Sequence, residues 1–172
     1  MLSPFALNES NEHKSPICIE YHEVILMQCN RQPDARAIVK SNEPYLDVRG
    51  EVLFYQDRDG VLVTAKISGL PQNGTGFYGF HIHEGRSCEG EGFPKTGGHF
   101  NPQDLPHPSH AGDLPPLLSN HGNAYMSVKT DRFRIKDILG RTVIIHGGTD
   151  DFRTQPSGDA GEKIACGVIK AV

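Results

Sequence analysis

The sequence predicts an all-β domain, either a sandwich or a barrel. Apolar and polar residues alternate over seven or eight short stretches, as they do in strands with one buried face. Helical periodicity is almost absent, and glycine and proline are frequent, at 19 and 12 of 172 residues. Many short strands separated by turn residues are typical of sandwiches and barrels rather than of sheets covered by helices.

The strands follow one another with clear turn signals between them. Asp57 and Gly60 bound a predicted hairpin turn, Gly50 suggests a β-bulge in the strand before it, and residues 132–139 give the one hint of a helical turn. The predicted strands cover residues 35–40, 47–55, 61–67, 77–83, 124–129, 141–146 and 164–169.

The first residues of the chain do not share this pattern. We predict an N-terminal extension over residues 1–33, with one strand around residues 17–27, followed by a single domain over residues 34–172. Residues 1–11 lack a basic segment, and the most apolar run, residues 24–27, is too short for the hydrophobic region of a signal peptide or for a membrane span. We therefore expect a cytoplasmic protein, or an extracytoplasmic one if an N-terminal segment has been removed.

Charge and cysteine content exclude several other classes of protein. Charged residues make up 22% of the chain and the net charge is -4, so neither nucleic acid nor a membrane is an expected partner. Four cysteines are too few for a disulfide scaffold and are not spaced as a zinc knuckle, although one pair could form a disulfide.

Two unusually long connections contain or border most of the nine histidines. They cover residues 84–122, the first loop, and residues 147–163, the second loop. Long connections without secondary structure are uncommon in compact domains and are usually functional.

Histidines in two predicted strands are expected on the outside of the barrel. In residues 80–83 (FHIH), alternate side chains share a face, so His81 and His83 would point outward while their apolar neighbours enter the core. The same alternation over residues 141–146 turns His146 outward. A metal held by these side chains would lie on the barrel wall and need the long loops to cover it.

The first loop adds further side chains that could bind a metal, namely His99, His107, His110 and Asp113. Several imidazoles with one carboxylate suit zinc, which takes four ligands tetrahedrally. Imidazoles alone, in a roughly planar set, suit Cu(II). The sequence offers one group of each kind.

Five segments together resemble the copper–zinc superoxide dismutase family, from about Asp34 to the C-terminus. Each segment is short, but all five occur in the order and approximate spacing of the family. They are Gly79-Phe-His-Ile-His-Glu84, Gly98-His-Phe-Asn-Pro102, His110-Ala-Gly-Asp113, Gly140-Arg-Thr-Val-Ile-Ile-His146 and Gly161-Glu-Lys-Ile-Ala-Cys-Gly-Val-Ile169.

This resemblance implies a flattened, eight-stranded Greek-key β-barrel or sandwich of immunoglobulin-like type, with two long active-site loops. It implies an oxidoreductase that dismutates superoxide to dioxygen and hydrogen peroxide in antioxidant defence. Copper and zinc would be the cofactors, and superoxide would be the substrate. A homodimer is compatible with the resemblance.

The resemblance also assigns residues at matching positions. Asp150 would link a copper-side histidine to a zinc-side one, and Cys88 and Cys166 would form a disulfide. The copper ligands would be His81, His83, His99 and His146, and the zinc ligands His99, His107, His110 and Asp113, with His99 bridging both metals.

One position departs from the family pattern. Lys163 stands where the family usually carries an arginine, three residues before Cys166. As catalytic residues, His99 would accept a proton and return it to the departing peroxide, and Lys163 would attract the superoxide anion. Because lysine is a flexible point charge and arginine a rigid fork of donors, we expect guidance to survive but docking to loosen.

Several alternatives stay open at this point. A copper-delivery module that has lost turnover, or a purely structural β-sandwich, would share the fold. Asp150 could be an ordinary loop carboxylate like Asp151, and Lys163 an ordinary solvated lysine. Cys88 and Cys166 could be reduced thiols. Residues expected to lack a special role are the free thiols Cys18 and Cys29 and the solvated His13, His22 and His121.

Overall fold

A computed structural model of the protein describes residues 31–172. The strand expected around residues 17–27, together with Cys18 and Cys29, therefore lies outside the described residues. Over the described part the chain forms nine strands, a 3₁₀ turn at Pro94–Thr96 and one helical turn, α1, at Ile135–Ile138. The strands are β1 Ala35–Lys40, β2 Arg49–Asp57, β3 Gly60–Ser68, β4 Phe77–Tyr78, β5 Phe80–His83, β6 Leu117–Leu118, β7 Ala124–Thr130, β8 Thr142–His146 and β9 Lys163–Ala171.

Seven strands form one curled antiparallel sheet in the order β5-β8-β9-β1-β2-β3-β7, and β4 and β6 form a small second sheet. The small sheet connects the two edges of the large one. Gly79 alone separates β4 from β5, and a tight turn between Asn120 and Asn123 leads from β6 into β7. Counting β4 and β5 as one interrupted strand gives eight, so the prediction of an all-β barrel with eight strands is confirmed.

The strands predicted between residues 35 and 169 are all present, and their observed ends differ from the predicted ones by a few residues. The hairpin turn is confirmed, because Asp57 and Gly60 pair across it, and α1 lies inside residues 132–139. The prediction missed β6, which has only two residues. So short a strand leaves no alternation to detect.

The β-bulge expected at Gly50 was wrong. β2 pairs in continuous register with both of its neighbours through this position. Glycine is needed there for a different reason, since a Cβ would lie 2.1 Å from Lys66 O and 2.9 Å from the Cα of Ile67. The irregularity in register lies instead between Ile145 and His146, where β8 pairs with β9.

The inward and outward faces of β5 and β8 follow the predicted alternation. The residues that enter the main core are Phe80, Ile82, Val143 and Ile145. Ile144 points the other way and packs outside the barrel with Phe93 and Cys166. The histidines that alternate with the core residues are therefore on the outer side of the wall.

A disulfide between Cys88 and Cys166 joins the first loop to β9, with 5.7 Å between the two Cα atoms. It confirms the pairing that the resemblance implied and anchors the loop beside the histidines of β5 and β8. Among residues 31–172, no helix combines the length and the apolar character needed to cross a membrane.

Candidate metal centre

The first loop lies along the outer edge of β5. Both backbone groups of Ile82 bond to it: the N–H donates at 2.9 Å and the C=O accepts at 2.8 Å. Isolated bridges place His99 opposite His83 and Asp113 opposite His81. Residues from the strand and from the loop therefore meet side by side.

His146 ends β8 where three segments converge. Its backbone N–H donates to Gly79 O (2.8 Å), and the N–H of Gly79 donates to Gly148 O in the second loop (2.8 Å). A Cβ at Gly79 would lie 2.7 Å from the Cβ of Ala160. Glycine at this position thus lets the second loop pack over the site.

The predicted ligands come together as two buried groups that share His99. In each group the candidate ligand atoms lie within 4.8 Å of one another. The groups are His81, His83, His99 and His146, and His99, His107, His110 and Asp113. This is the same division into an imidazole-only set and a set with one carboxylate that the sequence offered.

Four ring nitrogens in these groups are buried without a hydrogen-bond partner among the described residues. A buried polar atom without a partner is costly, so nearly all such atoms in folded proteins are satisfied. The two nitrogens nearest to Asp113 Oδ2, at 3.1 and 3.2 Å, are within ion-pair distance but do not have hydrogen-bond geometry. The four atoms are His81 Nδ1, His99 Nε2, His107 Nδ1 and His110 Nδ1.

A further pair of nitrogens faces each other, His83 Nε2 and His146 Nε2, 3.3 Å apart. The opposite nitrogen of each ring donates to a backbone carbonyl, His83 Nδ1 to Gly97 O and His146 Nδ1 to Gly161 O, both at 3.0 Å. Burial, reinforced by neighbouring histidines, lowers the pKa of His146 to about 3 and that of His83 well below its ordinary value. Both facing nitrogens therefore carry lone pairs at neutral pH, an arrangement that a shared cation satisfies.

Asp150 lies between the two groups of histidines. Its carboxylate accepts hydrogen bonds from His81 Nε2 (2.8 Å) and His107 Nε2 (2.9 Å). Burial would raise its pKa, but these bonds and one from the backbone of Phe152 lower it overall. Because both rings donate from Nε2, each keeps Nδ1 free. Asp151 is used differently, since it accepts bonds from Arg153 and Thr154 within its own turn.

Asp113 completes the second group and is held by an arginine that the sequence analysis missed. Its Oδ1 lies 2.7 Å from His99 Nδ1. Burial would raise the pKa of Asp113, but hydrogen bonding with His99 and the neighbouring histidines lower it. Arg132 Nη1 lies 3.0–3.2 Å from the carbonyl oxygens of Pro108, His110 and Asp113. A lone arginine beside a turn gives no sequence signal of this role.

Lys163 is partly buried beside the imidazole-only group. Its Nζ donates to Thr96 Oγ1 (2.8 Å) and to Gly97 O (3.0 Å), and burial lowers its pKa. Gly97 O also accepts from His83 Nδ1. Lys163 is therefore tied to the first loop next to a candidate ligand, and it is not an ordinary solvated lysine.

These features define a class of protein, an antiparallel β-barrel whose outer wall carries two adjoining, imidazole-rich groups that could hold two metal ions. The residues fit both metals that the resemblance implied. One set has only imidazole nitrogens, as Cu(II) favours, and the other has imidazoles with one carboxylate, as zinc favours.

Comparison with known proteins gives a consistent result. The family model described as copper/zinc superoxide dismutase (SODC) matches residues 48–169. Superoxide dismutase [Cu-Zn] 2 of Aquifex aeolicus is 32% identical over 151 residues, which cover 77% of this chain and 87% of the relative. Superoxide dismutase [Cu-Zn] of Deinococcus radiodurans is 33% identical over 146 residues, covering 73% of this chain and 79% of that protein.

A plant relative shows similar agreement. Superoxide dismutase [Cu-Zn] 3 of Arabidopsis thaliana is 37% identical over 140 residues, which cover 72% of this chain and 83% of the relative. This chain belongs to the copper/zinc superoxide dismutase family. The matched span contains both groups of candidate ligands, Asp150, Lys163 and the disulfide.

Proposed function

We propose that this chain carries out the superoxide dismutation of its family, as an antioxidant oxidoreductase, at a copper–zinc site divided between the two ligand groups. Copper and zinc are the cofactors of the family, and the chain retains donors for both. The observation that carries the proposal is the pair of buried groups sharing His99, in which four ring nitrogens have no hydrogen-bond partner among residues 31–172.

The two sets of donors suit different metals. The set of His81, His83, His99 and His146 would hold copper, and the set of His99, His107, His110 and Asp113 would hold zinc. His99 would serve both, through Nε2 toward the copper side and through Nδ1 toward the side of Asp113. When bound, copper supplies the one-electron oxidation and reduction that convert two superoxide anions and two protons into dioxygen and hydrogen peroxide.

The side chains of the protein supply orientation, a proton and charge. Asp150 fixes the rings of His81 and His107 with Nδ1 free. Nε2 of His99 has no hydrogen-bond partner in the described part of the chain, so it can hold a proton between the two half-reactions and return it to the departing peroxide. The ammonium of Lys163 attracts the anionic substrate toward a protein of net charge -4.

The remaining parts of the proposal concern the whole chain. We assign the enzyme domain to residues 34–172 and treat residues 1–33 as an extension, supported by strands that run from Ala35 to Ala171. A homodimer, a cytoplasmic location (or an extracytoplasmic one if an N-terminal segment has been removed) and the absence of nucleic-acid or membrane partners are further expectations. Sedimentation of the purified protein tests the homodimer.

Metal content measured together with superoxide consumption tests the function. The purified chain, supplied with both metals, should hold about one copper and one zinc and consume superoxide. Copper bound without turnover would instead identify a delivery module, and no specific binding of either metal would identify a structural β-sandwich. His121→Ala is the matched control, because His121 is exposed and lies outside both ligand groups.

A further inference from the structure

Glu162, which directly precedes β9, and Lys163, its first residue, carry opposite charges but make no ion pair with each other in the described structure. Lys163 donates to Thr96 and Gly97 of the first loop. The Glu162 carboxylate instead accepts a hydrogen bond from the Tyr45 hydroxyl, 117 residues away in the chain. The two side chains are thus held by different parts of the molecule.

Tyr45 is well placed to hold a carboxylate in one position. It lies between β1 and β2, where its N–H donates to Asn42 O (2.8 Å) and its C=O accepts from the N–H of Val48 (3.1 Å). Its ring packs against the main core. Asn42 in the same connection also donates to Gly90 O in the first loop (3.0 Å). The backbone and ring of Tyr45 are therefore held in place, and so is its hydroxyl group.

Glu162 has an exposed carboxylate with no ion pair among residues 31–172. Its backbone is fixed because its C=O accepts from the N–H of Gly147 (2.9 Å), directly after His146. Its side chain could rotate toward Lys163 if it were released. If the Glu162 carboxylate came nearer to the Lys163 ammonium, its negative charge would weaken the attraction of the ammonium for an anion.

We propose that Tyr45 is a positioning residue for substrate capture, whose hydrogen bond keeps the Glu162 carboxylate away from Lys163 and leaves the ammonium free to attract superoxide. This inference rests on the proposed function, because it takes Lys163 as the guide for the anion. Among the described residues, the hydroxyl of Tyr45 bonds to Glu162 and not to a candidate ligand.

The experiment compares Tyr45→Phe, Glu162→Gln and the double variant in the copper- and zinc-loaded protein. Two quantities are measured at 0.01 M and 0.15 M ionic strength: the dissociation constant of azide, a small anion that binds Cu(II), and the second-order rate constant with superoxide. Tyr125→Phe is the matched control, since Tyr125 is 73% exposed and lies on β7.

Tyr45→Phe should weaken azide binding and slow superoxide capture about two- to threefold at 0.01 M, with a smaller effect at 0.15 M because salt screens the carboxylate. Glu162→Gln should equal or exceed the parent in both measurements. The double variant should return to the level of Glu162→Gln, because no negative charge remains to be released. Tyr125→Phe should match the parent.

A double variant as impaired as Tyr45→Phe would show that the hydrogen bond is only a structural brace, and it would overturn the proposal. So would a Tyr45→Phe variant equal to the parent in both measurements. If Tyr45→Phe melts below the assay temperature, Glu162→Asp replaces it, since the shorter carboxylate no longer reaches the phenol; parent-like values would again overturn the proposal.

The azide measurement separates this inference from the proposed function. A parent that binds copper and azide but does not consume superoxide would end the proposed function, while the azide series would still support or overturn the role of Tyr45. A parent that binds no copper would overturn both.

Discussion

In four of the candidate ligands, a hydrogen bond on one ring nitrogen determines which nitrogen of the histidine is free for a metal. His83 and His146 donate from Nδ1 to backbone carbonyls and keep Nε2 free, whereas His81 and His107 donate from Nε2 to Asp150 and keep Nδ1 free. The free nitrogens then converge in two groups. Partners of this kind fix the orientation and protonation of ligating imidazoles, so the protein prepares the site through residues that do not themselves bind metal.

His146 and Asp113 each belong to one group only, which makes the division of ligands testable. His146→Ala should remove copper and activity and leave most of the zinc, because the second group stays complete. Asp113→Ala should release zinc first. Metal analysis after dialysis measures both, with His121→Ala as the control. Loss of the same metal from both variants would contradict the division.

Asp150 should matter far more than its neighbour Asp151. In Asp150→Asn the amide can accept from one imidazole but not from both, so one ring loses its orientation. We expect metal affinity to fall about 10–100-fold. Asp151→Asn is the matched control, because the Asp151 carboxylate accepts hydrogen bonds from Arg153 and Thr154 in its own turn. Competition with a chelator measures both affinities, and equal losses would contradict this role for Asp150.

Lys163 should guide the substrate through its charge. The parent's rate at low superoxide should fall as ionic strength rises from 0.01 to 0.15 M, where the Debye length shrinks from about 30 to about 8 Å. Lys163→Glu should be much slower and reverse the salt trend, and Lys163→Arg should equal or exceed the parent because it restores a fork of donors. A Lys163→Ala variant as fast as the parent over this range would contradict the role.

At the residue scale, the sequence was enough to predict the placement of side chains that depends on a local pattern. Alternation along β5 and β8 was enough to turn His81, His83 and His146 outward. Arg132 and Tyr45 could not be found in the same way. Arg132 and Tyr45 contact carbonyl or carboxylate oxygens of residues that only folding brings close. The positions of the two residues in the sequence therefore do not indicate these contacts.

At the scale of elements, the two loops pack over the histidines on the outer side of the barrel wall. The first loop is held at one end by the disulfide to β9 and along its length by backbone bonds to β5. The strands with long alternation were predicted almost to their ends, while β6 was not, since two residues have no periodicity. Gly50 was misread because a close approach between strands leaves the same sequence signal as a bulge.

Removing the disulfide should cost stability. Cys88 and Cys166 are 78 residues apart, so the cross-link closes a long loop of the unfolded chain. Cross-links of this kind contribute roughly 2–4 kcal/mol. Cys88→Ser should therefore lower the melting temperature, and a reducing agent should do the same to the parent but have little effect on the variant. A reducing agent that shifts both proteins equally would contradict this account.

At the scale of the whole molecule, the barrel core and the metal centre occupy opposite sides of the same wall. The core is apolar, whereas within residues 31–172 the outer side carries six buried histidines and two buried carboxylates, Asp113 and Asp150. Alternation along β5 and β8 was enough to predict this arrangement, because it places core residues and histidines on opposite faces of the same strands. The stability of the molecule should consequently depend on pH and on metals together.

The metal-free protein should lose stability as the pH falls from about 6.5 toward 3. Burial lowers the pKa of His81, His83 and His146 in the folded state, that of His146 to about 3, whereas an unfolded chain protonates histidine near 6.5. Below 6.5 the unfolded state therefore binds more protons than the folded state, and protonation favours unfolding. Above about pH 6.5 these histidines are neutral in both the folded and the unfolded state, so they cause no change in stability with pH there.

Bound metals should oppose this loss, because they bind the folded state, and should be released as protons compete for the ligands. Calorimetry between pH 8 and 4 tests the prediction. The melting temperature of the metal-free protein should be flat above about pH 7 and fall below 6.5, while the metal-loaded protein should stay more stable until its metals dissociate. His121→Ala should follow the parent, since His121 is exposed and lies outside both groups of buried candidate ligands. A metal-free melting temperature that does not change across this range would show that the buried histidines do not resist protonation.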